Sequence, residues 1–415
     1  MKYCRRCLYP ENHPLTIMFD DEGVCSGCRV HEEKDSLDWQ ERRQLLARIF
    51  DEYRCNDGRN YDCIVPVSGA RDSYFIVHTV KNLFGMRPLL VSYNRQYNTE
   101  LGIRNLAYLR TKFDCDYLES TASPEMVKRV VRETLHQMGS FHWHAIAGQT
   151  AFPVQVATQM KIPLIVWGVH QGCDQVGMYS HLDEVEMTRK YRAEHDLMGF
   201  EAEDLVGKTQ QLTESDLQPF LYPHNSELSA VGVRGIYLSN YIRWDSKQQH
   251  EDMIELFDYE TAAQLRTFDT YNDVNCHHYS GLHDHIKHVK WGYSKVVDHA
   301  VREIRLKRLT RAEGLELVKR YQDIQPTDKT LFLDWLGMPF EEFDACIEAV
   351  RSNAVWTQND QGDWVKKECV THQDSDPRGN EVALDKTDDC EFVITPSKRP
   401  KYDDIQYRLM SRGHL

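Results

Sequence analysis

Between an apolar run at 62–67 and an amphipathic one at 73–84 lies Ser68-Gly69-Ala70-Arg71-Asp72-Ser73. Where a strand hands over to a helix, backbone N–H groups and the helix dipole converge on an anion. Gly69 lets the backbone approach phosphate oxygens, and the hydroxyls of Ser68 and Ser73 can donate to them. Asp72 beside phosphates calls for a cation between them, which points to Mg²⁺. The loop is not of the Gly-x4-Gly-Lys-Ser/Thr kind, because no Gly-Lys pair follows. Ala70 stands where a second glycine would be expected; if that position needs φ > 0, its methyl group costs about 1 kcal/mol. The plainer reading is a serine-rich helix start.

A second constellation is Cys4-x2-Cys7 and Cys25-x2-Cys28, separated by 17 residues. Each pair can turn two thiolates towards one ion, and this spacing predicts a four-cysteine zinc site. Four thiolates fill the tetrahedron, so the zinc is structural and leaves no open position for catalysis. A third group is His277, His278, His283, His285 and His288, beside Cys276 and Asp284. His285 and His288 would share one helical face and could hold a second metal. The blander reading makes them polar contacts to a ligand or to neighbours.

The elements that must position these groups follow from hydrophobic periodicity. Residues 62–67, 88–93, 115–120 and 162–168 read as strands. Residues 73–84, 99–113, 123–138 and a stretch near 148–160 read as helices. Ser123 is the expected N-cap, with Pro124 at the first helical position. Strict alternation predicts an α/β fold, a parallel sheet with helices on both faces. Its ligand belongs at the carboxyl ends of the strands, where Tyr93 and Gly168 join the loop as nucleotide contacts. The expected organisation is a cysteine module at 1–36, a linker helix at 37–60 and a nucleotide-binding domain at 61–230. A mostly helical substrate-binding region at 231–369 and a tail or extended arm at 370–415 complete it. Residues 285–322 and 341–352 look helical, whereas 170–270 has no readable period.

A formal net charge of −14 argues against gripping a nucleic-acid backbone, and no nucleic-acid partner is expected. The start MKYCRRCLYP lacks the apolar run of a secretory signal, and no apolar stretch is long enough for a membrane span. Twelve cysteines, four paired at ligand spacing and eight scattered, read as reduced thiols in the cytoplasm.

The loop resembles the Ser-Gly-Gly-x-Asp-Ser loop of the ATP pyrophosphatases, the PP-loop superfamily with an adenine-nucleotide alpha-hydrolase-like fold. With MKYCRRC, CSGC and residues 270–321, the chain is similar to the N-acetyl sugar amidotransferases, above all the branch serving bacterial lipopolysaccharide O-antigen assembly. The resemblance spans roughly residues 1–370. It implies ATP-dependent conversion of an acetamido group on a nucleotide-linked sugar into an acetamidino group. It also implies ATP and Mg²⁺ at Ser68, Gly69, Ala70, Arg71, Asp72 and Ser73, with zinc on Cys4, Cys7, Cys25 and Cys28. His283, Asp284, Lys290, Asp298, His299, Arg302 and Glu303 would lie at or near the sugar nucleotide. Asp72, Ser73, Lys290 and His299 would serve the reaction, Lys290 or Arg302 by neutralising pyrophosphate and His299 by accepting a proton from ammonia. Ala70 departs from the family pattern, and so does Val169-His170, where relatives in the flagellar branch carry Gly-Glu-Asn after the strand. Lys2 follows Met1 where an amino-terminal glutaminase needs cysteine, and Gly172-Cys173 lacks a nucleophile elbow. Ammonia must therefore come free or from a partner; the resemblance points to a separate glutaminase with an ammonia-conducting barrel subunit, both similar to histidine-biosynthesis proteins. Two rival readings are a tRNA-thiolating enzyme of the same superfamily and a non-catalytic nucleotide-binding subunit. Cys115 and Cys173 stand alone, whereas thiolating enzymes generally use a cysteine pair.

Overall fold

The computed structural model describes residues 1–205, 212–368, 370 and 376–380. Five strands, β1 Cys63–Pro66, β2 Pro88–Tyr93, β3 Tyr117–Ser120, β4 Leu164–Trp167 and β5 Arg234–Tyr237, form one sheet in the order β3-β2-β1-β4-β5. Every pairing is parallel. Central strands of such a sheet are covered on both faces, which is why CIVP and PLLVSY are near-continuous apolar runs. On one face Cys63, Val65 and Leu90 pack with Phe50, Tyr74 and Leu109; on the other Ile64, Leu89 and Val91 pack with Val154, Val156 and Ala157. The expected α/β class is thus the one observed.

One helix of the cysteine module and five beside the sheet follow in chain order, two of them capped by side chains. These are α1 Ser26–Glu33, α2 Trp39–Tyr53, α3 Arg71–Val77, α4 Glu100–Phe113, α5 Pro124–Met138 and α6 Trp143–Met160. Asp38 accepts from the N–H groups of Gln40 and Glu41, and Thr99 Oγ1 accepts from that of Gly102. Ser123 occupies the N-cap position of α5, ahead of Pro124. A π-helical stretch, His78–Leu83, prolongs α3, and α6 runs through Pro153.

Two boundaries need correcting. The helix expected to link modules, α2, buries Leu46, Ile49 and Phe50 in the core of the sheet. Residue 230 does not end the sheet domain, because β5 lies beyond it. This strand escaped notice because Arg-Gly-Ile-Tyr offers neither alternation nor an apolar run.

Beyond the sheet come the helices His277–Trp291, Lys295–Arg305, Arg311–Tyr321, Lys329–Leu336 and Phe340–Ala349. An antiparallel hairpin of β6 Trp356–Gln358 and β7 Trp364–Lys366 follows. The cysteine module shares a core with the second of these helices, through Leu8, Tyr9, Val296, Ala300 and Ile304. Most of the expected tail, 370–415, lies outside the described residues. Within it, Asp376 pairs with Arg6, and its N–H donates to the Arg5 carbonyl at 2.8 Å. Among the described residues no helix is long and apolar enough to cross a membrane.

Candidate functional site

At the carboxyl ends of β1 and β4, where strand order reverses direction, opens a cavity of about 1060 Å³. The sheet contributes Arg71, Asp72, Trp167 and His170 to its lining. The two helices 277–291 and 295–305 contribute His283, Lys287, Lys290, Asp298, His299 and Arg302. A smaller cavity of about 130 Å³ lies beside it over β2, lined by Ser68, Gly69, Ser92, Tyr93 and Asn94.

The loop joining β1 to α3 is held by its own polar groups. Ser68 N–H donates to Ser73 Oγ at 2.8 Å, and Ala70 N–H to Ser68 Oγ at 3.4 Å. Both serine hydroxyls thus hold the loop's shape while keeping a hydrogen free to donate. Ala70 caps the helix at φ −87°, ψ 162°, an extended conformation open to any residue. The strain feared for an alanine there is absent. Gly69 is needed for a different close approach: a Cβ would sit 2.4 Å from the Gly102 carbonyl oxygen in α4. Gly102 in turn would bring a Cβ to 2.5 Å from Asn275 Cα, so three backbones stack there. Asp72 lines the large cavity and pairs with Arg71 at 2.6 Å. The buried Arg71 guanidinium also donates to Ser246 O.

Across the cavity the predicted polar residues divide. Arg302 donates to Asp269 at 2.9 Å and to Tyr271 Oη at 2.6 Å, and its guanidinium and that of Arg71 lie 5.1 and 5.3 Å from the same Tyr271 ring. Lys290 points elsewhere, onto the Met138 carbonyl. Of the two cations offered from the sequence, Arg302 is therefore the one beside the loop. His299 Nδ1 lies 2.7 Å from Thr267 Oγ1 and 3.7 Å from Asp269. Burial pushes its imidazole below the ordinary value, Asp269 pulling the other way, so it is neutral and can accept a proton. His283 faces the cavity with its ring 4.8 Å from that of His142, and burial lowers its pKa to about 4.

Asp284 and Glu303 are spoken for. Asp284 pairs with Arg266 at 2.7 Å, both side chains 2% exposed, and accepts from Lys295 N–H at the start of the next helix. Glu303, with no exposed surface, accepts from Arg302 and Arg308. Both hold the wall together; Asp284 also lines the cavity, whereas Glu303 does not. Asp298 accepts from Tyr9 Oη at 3.0 Å, from Gln175 at 3.2 Å and from Lys287. Gly168 lines neither cavity; Ser239 N–H takes its carbonyl, and a Cβ would meet Ile76 at 2.9 Å. His288 stacks on Trp356, 5.3 Å between centroids. No group of three candidate metal ligands involves the histidines among the described residues.

The four sulfurs of Cys4, Cys7, Cys25 and Cys28 are buried and lie within 4.8 Å of one another, Cys7 and Cys25 at 3.6 Å. Zn–S bonds of about 2.3 Å in a tetrahedron put sulfurs a little under 4 Å apart, so the residues fit zinc. Cys7 and Cys25 N–H groups donate to Cys4 Sγ, as thiolate-binding loops require. Arg305 reaches from the cavity wall to Cys25 Sγ at 3.5 Å, which joins the module to the site.

Sequence reasoning missed Arg95. It lines both cavities, two residues beyond the end of β2, and one guanidinium nitrogen is buried with no hydrogen-bond partner. A cation just past a strand's carboxyl end was the available signal. His170, which the sequence offered only as a departure from the family pattern, also stands in the cavity wall. Its ring is 1% exposed, lines the cavity and has neither nitrogen hydrogen-bonded.

Residues 265–370 match the family described as LPS biosynthesis protein WbpG-like, C-terminal domain. No curated protein matches the chain. Among solved structures, it is similar to NMN synthetase from Francisella tularensis at 13% identity and a TM-score of 0.27, over 52% of this chain and 96% of that one. It is also similar to the NH3-dependent NAD synthetase from Campylobacter jejuni subsp. jejuni NCTC 11168 in complex with the nitrate ion, at 12% identity and a TM-score of 0.28, over 47% of this chain and 92% of that one.

Proposed function

We propose, taking the WbpG-like C-terminal domain as premise, that this chain is an ATP-dependent amidotransferase acting on the N-acetyl group of a nucleotide-linked sugar. Its product would be an acetamidino sugar for lipopolysaccharide O-antigen. The observation that carries the reading is one cavity in which a strand-to-helix anion loop faces the cationic helices of that domain.

An amide resists ammonia because its oxygen leaves poorly. With ATP on the loop, the adenine would take the small cavity beside Tyr93, and Mg²⁺ would be held by Asp72 together with phosphate oxygens. The acetamido oxygen attacks the α-phosphorus and pyrophosphate departs, its charge met by Arg71, Arg95 and Arg302. Ammonia then adds to the activated carbon, AMP leaves with the oxygen, and neutral His299 takes the proton released. Ammonia would come from a separate glutaminase and a barrel-shaped conducting subunit. Against a tRNA-thiolating role, Cys276 lines the cavity without a second cysteine beside it among the described residues, and Cys173 is buried outside the lining.

The test supplies ATP, Mg²⁺, ammonium and a panel of UDP-mono- and UDP-diacetamido hexoses, and follows pyrophosphate and product mass. Release coupled to loss of about one mass unit, oxygen exchanged for NH, is the expected result. ATP binding without release, with the glutaminase pair present and across the panel, favours a non-catalytic subunit.

A further inference from the structure

The large cavity has two unlike walls. Arg71, Lys287, Lys295, Arg302 and Arg305 stand on one, where five cations, though paired with Asp72, Asp298, Asp273, Asp269 and the Asp174 and Gln175 carbonyls, make it the more cationic side and the one suited to phosphates. Over β4 and β5 the wall is aromatic: Trp167, His170, Tyr191, Tyr222 and Tyr237 line it, with Asp196 among them. The His170 ring lies 4.3 Å from that of Tyr191 and 4.6 Å from that of Tyr237, edge-on to the latter. Among the described residues lining this lobe Arg192 is the cation, and its guanidinium is committed to Glu201, to Thr150 Oγ1 and to the carbonyls of Ala147 and Phe220. Burial holds His170 neutral, with a pKa of about 4, and pushes the Asp196 carboxyl up to about 7 against the pull of Arg192. Asp196 ends a π-helical turn, Arg192–Asp196, a distortion that often marks functional sites.

Position and chemistry agree on what belongs there. The small cavity over β2 lies on one side of the loop and the aromatic lobe, over β4 and β5, on the other. A nucleotide with its base over β2 leaves the β4–β5 side for the acceptor. Among the described residues lining this lobe a phosphate would find one cation, Arg192, already engaged on four sides, whereas an uncharged ring with apolar faces and polar edges would find rings and hydrogen-bonding groups. We propose that this lobe seats the pyranose ring and acetamido group of the acceptor sugar, with His170 as the residue that orients the amide. One neutral imidazole nitrogen accepts the amide N–H and the other donates to a ring hydroxyl. That turns the carbonyl oxygen away from His170 and leaves it free to attack. The inference rests on the amidotransferase reading and names its acceptor subsite.

Calorimetry with UDP-acetamido hexoses, UDP alone and ATP·Mg²⁺ tests it on the wild type, His170→Phe and Asp196→Leu. The expected result is a loss of about tenfold or more in sugar-nucleotide affinity for each variant, with UDP and ATP·Mg²⁺ within about twofold of wild type. A variant that keeps sugar-nucleotide affinity, or loses UDP by the same factor, overturns the subsite and leaves the amidotransferase reading standing. A wild type that binds ATP·Mg²⁺ but none of the sugar nucleotides overturns both. If the variants lose ATP binding, saturation-transfer NMR on the wild type decides. Stronger saturation of the acetyl methyl and pyranose protons than of uracil H5 and H6 supports the subsite, and the reverse order overturns it.

Discussion

The loop 68–73 and the helices His277–Trp291 and Lys295–Arg305 face one another across the same space but prepare for it in opposite ways. In the loop, internal hydrogen bonds of 2.8 and 3.4 Å fix the backbone, and Asp72 and Arg71, paired with each other, line the cavity. In the helices, the conspicuous charges are largely used on each other: Asp284 with Arg266, Glu303 with Arg302 and Arg308, Asp298 with Tyr9 and Lys287. A motif on a loop is therefore close to a list of the groups that line the space. A motif on packed helices mixes contacts with the groups that hold them, and sequence does not separate the two.

Substitutions can break or sharpen that contrast. The largest effect should come from Asp284→Ala, which leaves Arg266 buried and unpaired and uncaps the following helix. A loss of about 3–5 kcal/mol is expected in denaturant unfolding, and a loss under about 1 kcal/mol would return Asp284 to the ligand contacts. Next is Asp72→Asn, expected to lower pyrophosphate release about 100-fold at a cost of about 1 kcal/mol in unfolding, because the amide oxygen still accepts from the buried Arg71. Unchanged release would remove the cation from the loop. A smaller effect belongs to Asp174, whose carboxyl pairs with the buried Lys34 at the cavity wall. Burial alone would raise it, but Lys34 outweighs that and holds it at about 2, below the ordinary 3.8. A depressed carboxyl stabilises the fold above its ordinary pKa and ceases to do so as pH falls through the folded value. Asp174→Asn should thus cost about 1–2 kcal/mol at neutral pH, with wild type and variant melting together once the pH falls to about 2. The smallest effect is Ala70→Gly, expected within about 0.5 kcal/mol in stability and about twofold in turnover, since neither residue is strained there. A tenfold gain in turnover would show that the methyl group does obstruct the nucleotide.

These contrasts also explain what could be read from the sequence. The cysteine pairs, the loop and four of the strands were legible because each is contiguous and has a period or a spacing. β5 was not, being four residues with a glycine in the middle. The aromatic lobe was hidden for a similar reason. Its residues are spread from Trp167 to Tyr237 over turns as short as Gln171–Asp174 and Arg189–Tyr191, which are too brief to show periodicity. Arg95 needed the sheet order before its place between two cavities had meaning. For Asp284 the position was legible and the partner was not, because Arg266 becomes a neighbour only once the chain packs, and Arg308 reaches Glu303 from five residues on, past the end of the helix and outside its regular spacing.

The stack of Gly69, Gly102 and Asn275 bears on how such a chain can be recombined. Loop, sheet-side helix and the entry to the C-terminal helices meet there backbone to backbone, at distances no side chain would allow. The halves of the molecule are therefore not interchangeable cassettes. A chimera joining this N-terminal half to a C-terminal half from elsewhere would inherit a seam that accepts only its own curvature, and substrate range could be transplanted only with that seam intact.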